Sequence, residues 1–211
     1  MTEPALTTTQ LWRALRAHIE QTCTAFGLPS TLARLLWLTR LQHKHICTWL
    51  RPLEALLRRL IFIDAYALAL TAPDAPPPEA KARLRLGMPA AFGAAFDADN
   101  SESWRVSFSA RLPMQRPSAH RTAQAPSASL NAVSSAPCAL RLEGLIRALN
   151  MRQALAERLA RQLRHEAARV RYYIQALDAR LAARPLWREV ADAVALCQRA
   201  LMSPAVRADS S

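Results

Sequence analysis

The strongest pattern in this sequence is an apolar stripe that extends from position 142 to position 181. Its positions are spaced alternately by four and three residues, and eleven of the twelve are apolar, with Gln153 as the exception. A seven-residue repeat sustained this long predicts one long helix over 139–183 that packs lengthwise against other helices. The stripe consists of positions 142, 146, 149, 153, 156, 160, 163, 167, 170, 174, 177 and 181.

A second, shorter helix is predicted to follow, because Arg184-Pro185 ends the first one. It extends to about residue 202 and carries an apolar face of Trp187, Val190, Val194, Cys197 and Leu201. The two helices are expected to form a helical hairpin over 138–203, with a short disordered tail at 204–211.

The first third of the chain predicts three helices joined by short turns. The first covers 9–26 and is capped by Thr8 or Thr9, and Gly27 lies just after its end. The second covers 31–50, and its apolar residues occupy a wide arc, as expected of a central helix. Pro52 predicts a break, so that a third helix covers 52–70.

Residues 73–137 differ from the segments on either side of them. They contain nine of the fourteen prolines and nine serines, and no amphipathic helix continues through them. Such a segment buries too little apolar surface to offset its conformational entropy, which predicts a flexible connector. Within it, an island at 104–112 alternates apolar and polar residues with a period of two, as in a strand.

The predicted fold class is therefore all-α. Two helical blocks, 1–72 and 138–203, flank the connector, and alanine abundance with only four glycines supports helices over strands. Because a block of about 70 residues is marginally stable by itself, the two blocks are expected to pack together as one bundle. Homodimerisation through the 142–181 stripe is the competing arrangement.

The net charge of +12 favours an acidic partner such as nucleic acid, anionic lipid or an acidic protein. Arg158, Arg161 and Arg164 in the predicted long helix are the candidate phosphate contacts. The excess charge is spread along the chain, however, and pairs such as Glu157 and Arg161 have the spacing of solvated ion pairs. Nucleic-acid binding is therefore the alternative hypothesis and not the favoured one.

No residue set predicts a catalytic site or a cofactor site. The four glycines cannot form a dinucleotide or phosphate loop, and no nucleophile motif occurs. His43 and Cys47 lie one helical turn apart and could ligate a metal together. Two ligands are fewer than zinc usually takes from a protein, so no metal site is predicted.

The favoured function is a non-enzymatic α-helical interaction or adaptor protein with a protein partner. The island supplies the candidate partner-binding residues, Trp104, Val106 and Phe108, which either add to a partner's sheet or fold back onto the chain's own helices. The longest apolar stretch, 60–72, is too short to span a membrane. The first residues do not show the basic and apolar regions of a signal peptide, and the four cysteines do not form a dense framework, so we expect a cytoplasmic setting.

Overall fold

The computed structural model describes residues 6–71, 98–104, 106, 108, 132–165 and 187–202. The predicted connector segments 73–97 and 109–131, the end of the predicted long helix and the tail at 204–211 lie outside these residues. The elements in chain order are α1 (Thr8–Phe26), α2 (Pro29–Arg34), β1 (Trp37–Thr39), α3 (Arg40–Thr71), a 3-10 turn (Ser101–Ser103), β2 (Ala132–Ser134), α4 (Ala136–Asn150), α5 (Arg152–His165) and α6 (Trp187–Met202).

The first helix begins and ends close to its predicted positions. Its cap is Thr7, one residue before the predicted pair. The Thr7 hydroxyl accepts from the Gln10 backbone N–H, and the Gln10 side chain accepts from the Thr7 backbone N–H at 2.8 Å. This reciprocal cap satisfies backbone donors that the first helical turn leaves free. Gly27 follows the helix with φ 90°, a conformation that would strain any other residue.

The predicted second helix, 31–50, is wrong in its middle. α2 ends at Arg34, the backbone of Leu36 takes φ 58°, and the chain is extended through β1 before α3 begins. Two interactions, one local and one with a residue distant in the sequence, stabilise the break. Thr39 and Gln42 form a second reciprocal cap at the start of α3, and the Ser135 backbone N–H donates to the Leu36 carbonyl at 3.0 Å.

The predicted break at Pro52 is also wrong, because α3 continues through this proline to Thr71. A proline inside a helix removes one backbone hydrogen bond and costs about 3 kcal/mol. The turns on both sides pack into the same core, and this burial outweighs the cost. The fully buried leucines of these turns are Leu50, Leu53, Leu56, Leu57 and Leu60.

The predicted long helix is interrupted at Met151, which separates α4 from α5 and has φ −99° and ψ 19°. One non-helical residue leaves the seven-residue spacing intact, so the stripe remains apolar and buried on both sides of the break. The described stripe members that are buried are Leu142, Leu149, Ala156, Ala160 and Leu163. They are covered within this chain, and the described part of the stripe needs no second copy.

One continuous core joins the two predicted blocks, as expected. α1, α4, α5 and α6 all pack on α3, which is the central helix. α6 has the predicted bounds, although its main neighbours are α3 and α1, and its Glu189 carboxylate lies 3.4 Å from the His18 ring. The second block begins earlier than predicted, because β2 lies within 73–137 and pairs antiparallel with β1, Leu38 facing Val133.

The island folds back onto the chain's own core. Trp104 and Val106 are 2% and 6% exposed, and Phe108 is half-buried against the same core. The three apolar positions all face inward, as the alternation predicts, whereas residues 105, 107 and 109–112 lie outside the described residues. Within the described ranges, no helix combines the length and apolarity needed to cross a bilayer.

Candidate functional site

An apolar corner lies where the chain passes from α2 through β1 into α3. We give this name to four residues, Leu35, Leu36, Trp37 and Leu41, whose side chains are 54%, 65%, 65% and 79% exposed. Single exposed apolar residues are common on protein surfaces, whereas a cluster of large ones marks a contact site. Four such side chains within seven consecutive residues concentrate exposed apolar surface in one short segment of the chain.

The backbone of the corner is strained and held in place. Leu36 has φ 58°, the left-handed region, which costs a non-glycine residue about 1–2 kcal/mol. Its carbonyl accepts the Ser135 N–H at 3.0 Å, and the Trp37 N–H donates to the Leu35 carbonyl. These contacts keep Leu36 and Trp37 on the surface while Leu38, between Trp37 and Thr39, is buried. Strain of this sort persists where the surrounding structure imposes it, often at functional sites.

The sequence around the corner is positively charged. No Asp or Glu occurs between Glu20 and Glu54, while the same stretch contains Arg34, Arg40, Lys44 and Arg51. Arg40 and Lys44 are exposed, and Arg34 pairs with Asp99, a residue from a distant part of the chain, at 2.5 Å. Arg40 and Lys44 therefore supply exposed positive charge close to the apolar corner, while Arg34 is paired.

A second cluster, the thiol cluster, comprises His43, Cys47 and Cys138. His43 and Cys47 lie one turn apart on α3, and Cys138 comes from the first turn of α4, which packs beside it. Their ligand atoms all lie within 4.8 Å of one another, and His43 Nε2 is 3.8 Å from Cys47 Sγ. Both cysteines are buried free thiols, and His43 is half-buried.

A chain of charged groups connects the thiol cluster to the island. The Arg141 Nη1 group donates to Cys47 Sγ at 3.5 Å, and its Nε donates to Glu54 Oε1 at 2.7 Å. The other carboxylate oxygen of Glu54 lies 3.6 Å from Arg58 Nη2, and the Arg58 guanidinium lies 5.2 Å from the centre of the Phe108 ring. Cys47 thus has a positively charged donor whose position is fixed by a carboxylate.

Burial dominates the acid–base properties of this region. It raises the pKa of the Cys138 thiol to about 12, with the neighbouring Cys47 acting in the same direction and Arg141 against it. Burial works against the charge on Arg141, but the hydrogen bond and negative charge of Glu54 outweigh it, and the pKa of Arg141 is raised. At neutral pH the Cys138 thiol is therefore protonated and Arg141 is charged.

Most of the residues predicted to bind a partner or nucleic acid are less exposed than such a role requires. Trp104 and Val106 are buried in the chain's own core, where they are inaccessible to a partner. Of Arg158, Arg161 and Arg164, only Arg161 is exposed, and the other two are half-buried. Two of these three candidate phosphate contacts are thus only partly accessible.

Sequence reasoning missed both the apolar corner and Cys138. The run Leu35-Leu36-Trp37-Leu38 carried a usable signal, because four consecutive large apolar residues cannot all lie on one helix face. Cys138 carried none, since it lies 91 positions after Cys47 and only the packing of α4 on α3 brings them together.

A groove of about 340 Å³ between α1 and α4 has the volume of a small ligand site. Its wall is mainly apolar, with Ile19, Leu28 and Ile146, and its polar contributors include Arg16 and Glu20, which are exposed. No cluster of buried polar groups converges on it within the described part of the chain, so it offers little to orient a ligand.

Comparisons with protein-family models, with curated proteins and with solved structures find no match to this chain.

Proposed function

We propose that this chain is a non-enzymatic α-helical interaction protein that docks an acidic, amphipathic protein segment on the apolar corner. The exposure of the four large apolar side chains of the corner is the observation that supports this proposal. The original expectation placed the anchor at Trp104, Val106 and Phe108. We move it to the corner because an anchor must be accessible before binding and buried afterwards.

The charge of the chain supports the acidic character of the partner. Complementary charge around an apolar centre speeds association and selects between partners. A second copy of this chain would bring two strongly basic proteins together, each with a net charge of +12, and charge repulsion opposes that contact. A partner segment with acidic residues around an apolar face would complement both the exposed apolar side chains of the corner and the positive charge of the chain.

Nucleic acid is the weaker candidate, because two of the three arginines expected to contact phosphates are half-buried. Exposed leucines also add nothing to phosphate binding, whereas they suit the apolar face of a partner helix. We place the interaction in the cytoplasm, a reducing compartment in which free thiols such as the three described ones persist.

A peptide selection tests the proposal without knowledge of the natural partner. A random-peptide library is selected on the full chain and counter-selected on the Trp37→Ala variant. We expect enriched peptides that combine large apolar residues with Asp or Glu. The affinity of an enriched peptide, measured by fluorescence anisotropy, should fall about 30-fold in Trp37→Ala, because central aromatic anchors contribute about 2 kcal/mol or more.

Leu70→Ala is the matched control, since Leu70 is 51% exposed on α3 but lies near the opposite end of that helix from the corner. It should bind the enriched peptides as the unmodified chain does. Failure to obtain peptides that distinguish the chain from Trp37→Ala would reject the proposal, and so would enrichment of basic peptides. Binding to anionic phospholipid vesicles that Trp37→Ala abolishes, without peptide binding, would make the corner a membrane-contact surface instead.

A further inference from the structure

We propose that His43, Cys47 and Cys138 form a zinc site with a Cys2His ligand set and one open coordination position. The chemistry of the donors points to this metal, because thiolate and imidazole are the ligands that zinc prefers in proteins. Among the residues that the structure describes, no fourth His, Cys or carboxylate joins the group. The fourth position is therefore left for water or for a donor from another molecule.

The spacing of the donor atoms fits tetrahedral zinc. Zn–S and Zn–N bonds of about 2.3 and 2.0–2.1 Å place a sulfur and a nitrogen ligand about 3.6 Å apart in a tetrahedron. His43 Nε2 and Cys47 Sγ are 3.8 Å apart, and all three donors lie within 4.8 Å. Side-chain rotations that move the donor atoms by about 1 Å would bring all three to bonding distance from one ion. Two of the three donors lie on one helix, and their relative positions are fixed by the backbone.

Metal ligands commonly form a hydrogen bond to a further protein group, and Cys47 has such a group in Arg141. The Arg141 guanidinium donates to Cys47 Sγ and is itself held by Glu54 at 2.7 Å. Hydrogen bonds of this kind orient a metal ligand and stabilise the thiolate form. Of the three donors, His43 is half-buried and is therefore the one most accessible to solvent, whereas both sulfurs are buried.

The charges of the loaded site balance. Zn²⁺ binds two thiolates and a neutral imidazole, and the two thiols release one proton each to solvent. The complex is then neutral, and Arg141 remains paired with Glu54. Zinc binding therefore adds no net charge to this part of the core, where an unpaired charge would cost several kcal/mol.

A metal titration of the full chain tests the proposal. The protein is purified under reducing conditions, stripped with a chelator and titrated with Zn²⁺ or Co²⁺. We expect one equivalent of zinc per chain after gel filtration. The cobalt form should show the visible bands of a tetrahedral site and near-ultraviolet thiolate-to-cobalt charge transfer, and both should disappear when zinc is added.

Variants assign the ligands. His43→Gln and Cys138→Ser should lose the cobalt spectrum, while Arg141→Gln should keep it and weaken zinc binding roughly 10–100-fold. His45→Gln is the matched control, because His45 is exposed two positions along α3 and contacts Trp49 instead of the thiol cluster. Cys23→Ser on α1 is the cysteine control. Both controls should bind zinc like the unmodified chain.

Three results would overturn the zinc site. The unmodified chain could bind less than one equivalent of zinc, or His43→Gln could bind it with unchanged affinity and spectrum. The chain could also carry a Cys47–Cys138 disulfide when its thiols are blocked during isolation, which would make the pair a redox pair. His43→Gln decides the question even if Cys138→Ser does not fold. His43 is only half-buried, so we expect its variant to fold, and a far-ultraviolet circular dichroism spectrum of that variant checks that the helices are intact.

Discussion

Trp104→Ala should cost this protein much of its stability, although the residue lies in a segment that the sequence predicts as a connector. The Trp104 side chain is 2% exposed. A buried tryptophan removes about 150–250 Å² from water, which corresponds to about 4–6 kcal/mol at 25 cal/mol per Å². Measured losses for large aromatic residues replaced by alanine are about 3–5 kcal/mol. We therefore expect the free energy of unfolding to fall by about 4 kcal/mol, against a typical total of ~5–15 kcal/mol.

The substitution isolates the indole ring, because the hydrogen bond from Arg147 Nη1 is made to the Trp104 backbone carbonyl, at 3.2 Å. Urea unfolding followed by far-ultraviolet circular dichroism measures the change. A chain of this size loses about 2–4 °C in Tm per kcal/mol, so thermal melts should shift by about 8–16 °C. Trp37→Ala is the control, and since Trp37 is 65% exposed it should alter stability by less than about 0.5 kcal/mol. Equal effects of the two substitutions would refute the packing of the island on the bundle.

Two further substitutions test the core and its acid–base behaviour. Leu163→Asp should destabilise the fold by at least about 3 kcal/mol, because Leu163 is 4% exposed and the carboxylate would be buried without a partner. Arg161→Asp, at an exposed position of the same helix, should leave the free energy of unfolding nearly unchanged in urea and thermal unfolding. Similar losses from both substitutions would contradict the assignment of Leu163 to the buried face of α5. Burial raises the pKa of Asp64, against opposing effects of Trp12 and Arg152. The folded state then binds the proton more tightly than the unfolded state, and stability falls as pH rises above the ordinary pKa of about 3.9. Asp64→Asn should therefore raise the free energy of unfolding at pH 7, by an amount that disappears below that ordinary pKa, and urea titrations at several pH values would show whether it does.

The sequence predicts the helices whose ends carry strong local signals. Gly27 marks the end of α1, and the proline at 185 is followed within two residues by α6. The interruptions are harder to predict, because each depends on a balance with tertiary packing. Pro52 has a strong intrinsic preference against a helix interior, yet the leucines on both sides of it gain more from a shared core. Met151 interrupts a helix without disturbing the apolar repeat from which that helix was predicted.

The two candidate sites were unpredictable for a different reason. Strands of three residues, such as β1 and β2, present too few positions for a period of two to be recognised. Without β1, Trp37 falls inside the predicted helix 31–50, and nothing in the sequence marks its side chain as exposed. His43 and Cys47 were predictable from their spacing on one helix. Their grouping with Cys138 depends on how α4 lies along α3, which no local pattern in either helix determines.

The central position of α3 has a consequence for the protein's synthesis. The helix is 32 residues and about 48 Å long, and α4 and α5, which cover much of it, are encoded roughly 60 residues later. Because α5 ends at His165, 94 residues after Thr71, roughly 5–19 seconds pass before that cover has been made, at a translation rate of ~5–20 residues per second. α1 alone protects only part of its surface. The order of elements along the chain therefore leaves the core-facing leucines of α3 uncovered during synthesis. We expect the nascent chain to depend on chaperones that bind such helices until the later half of the chain has been made.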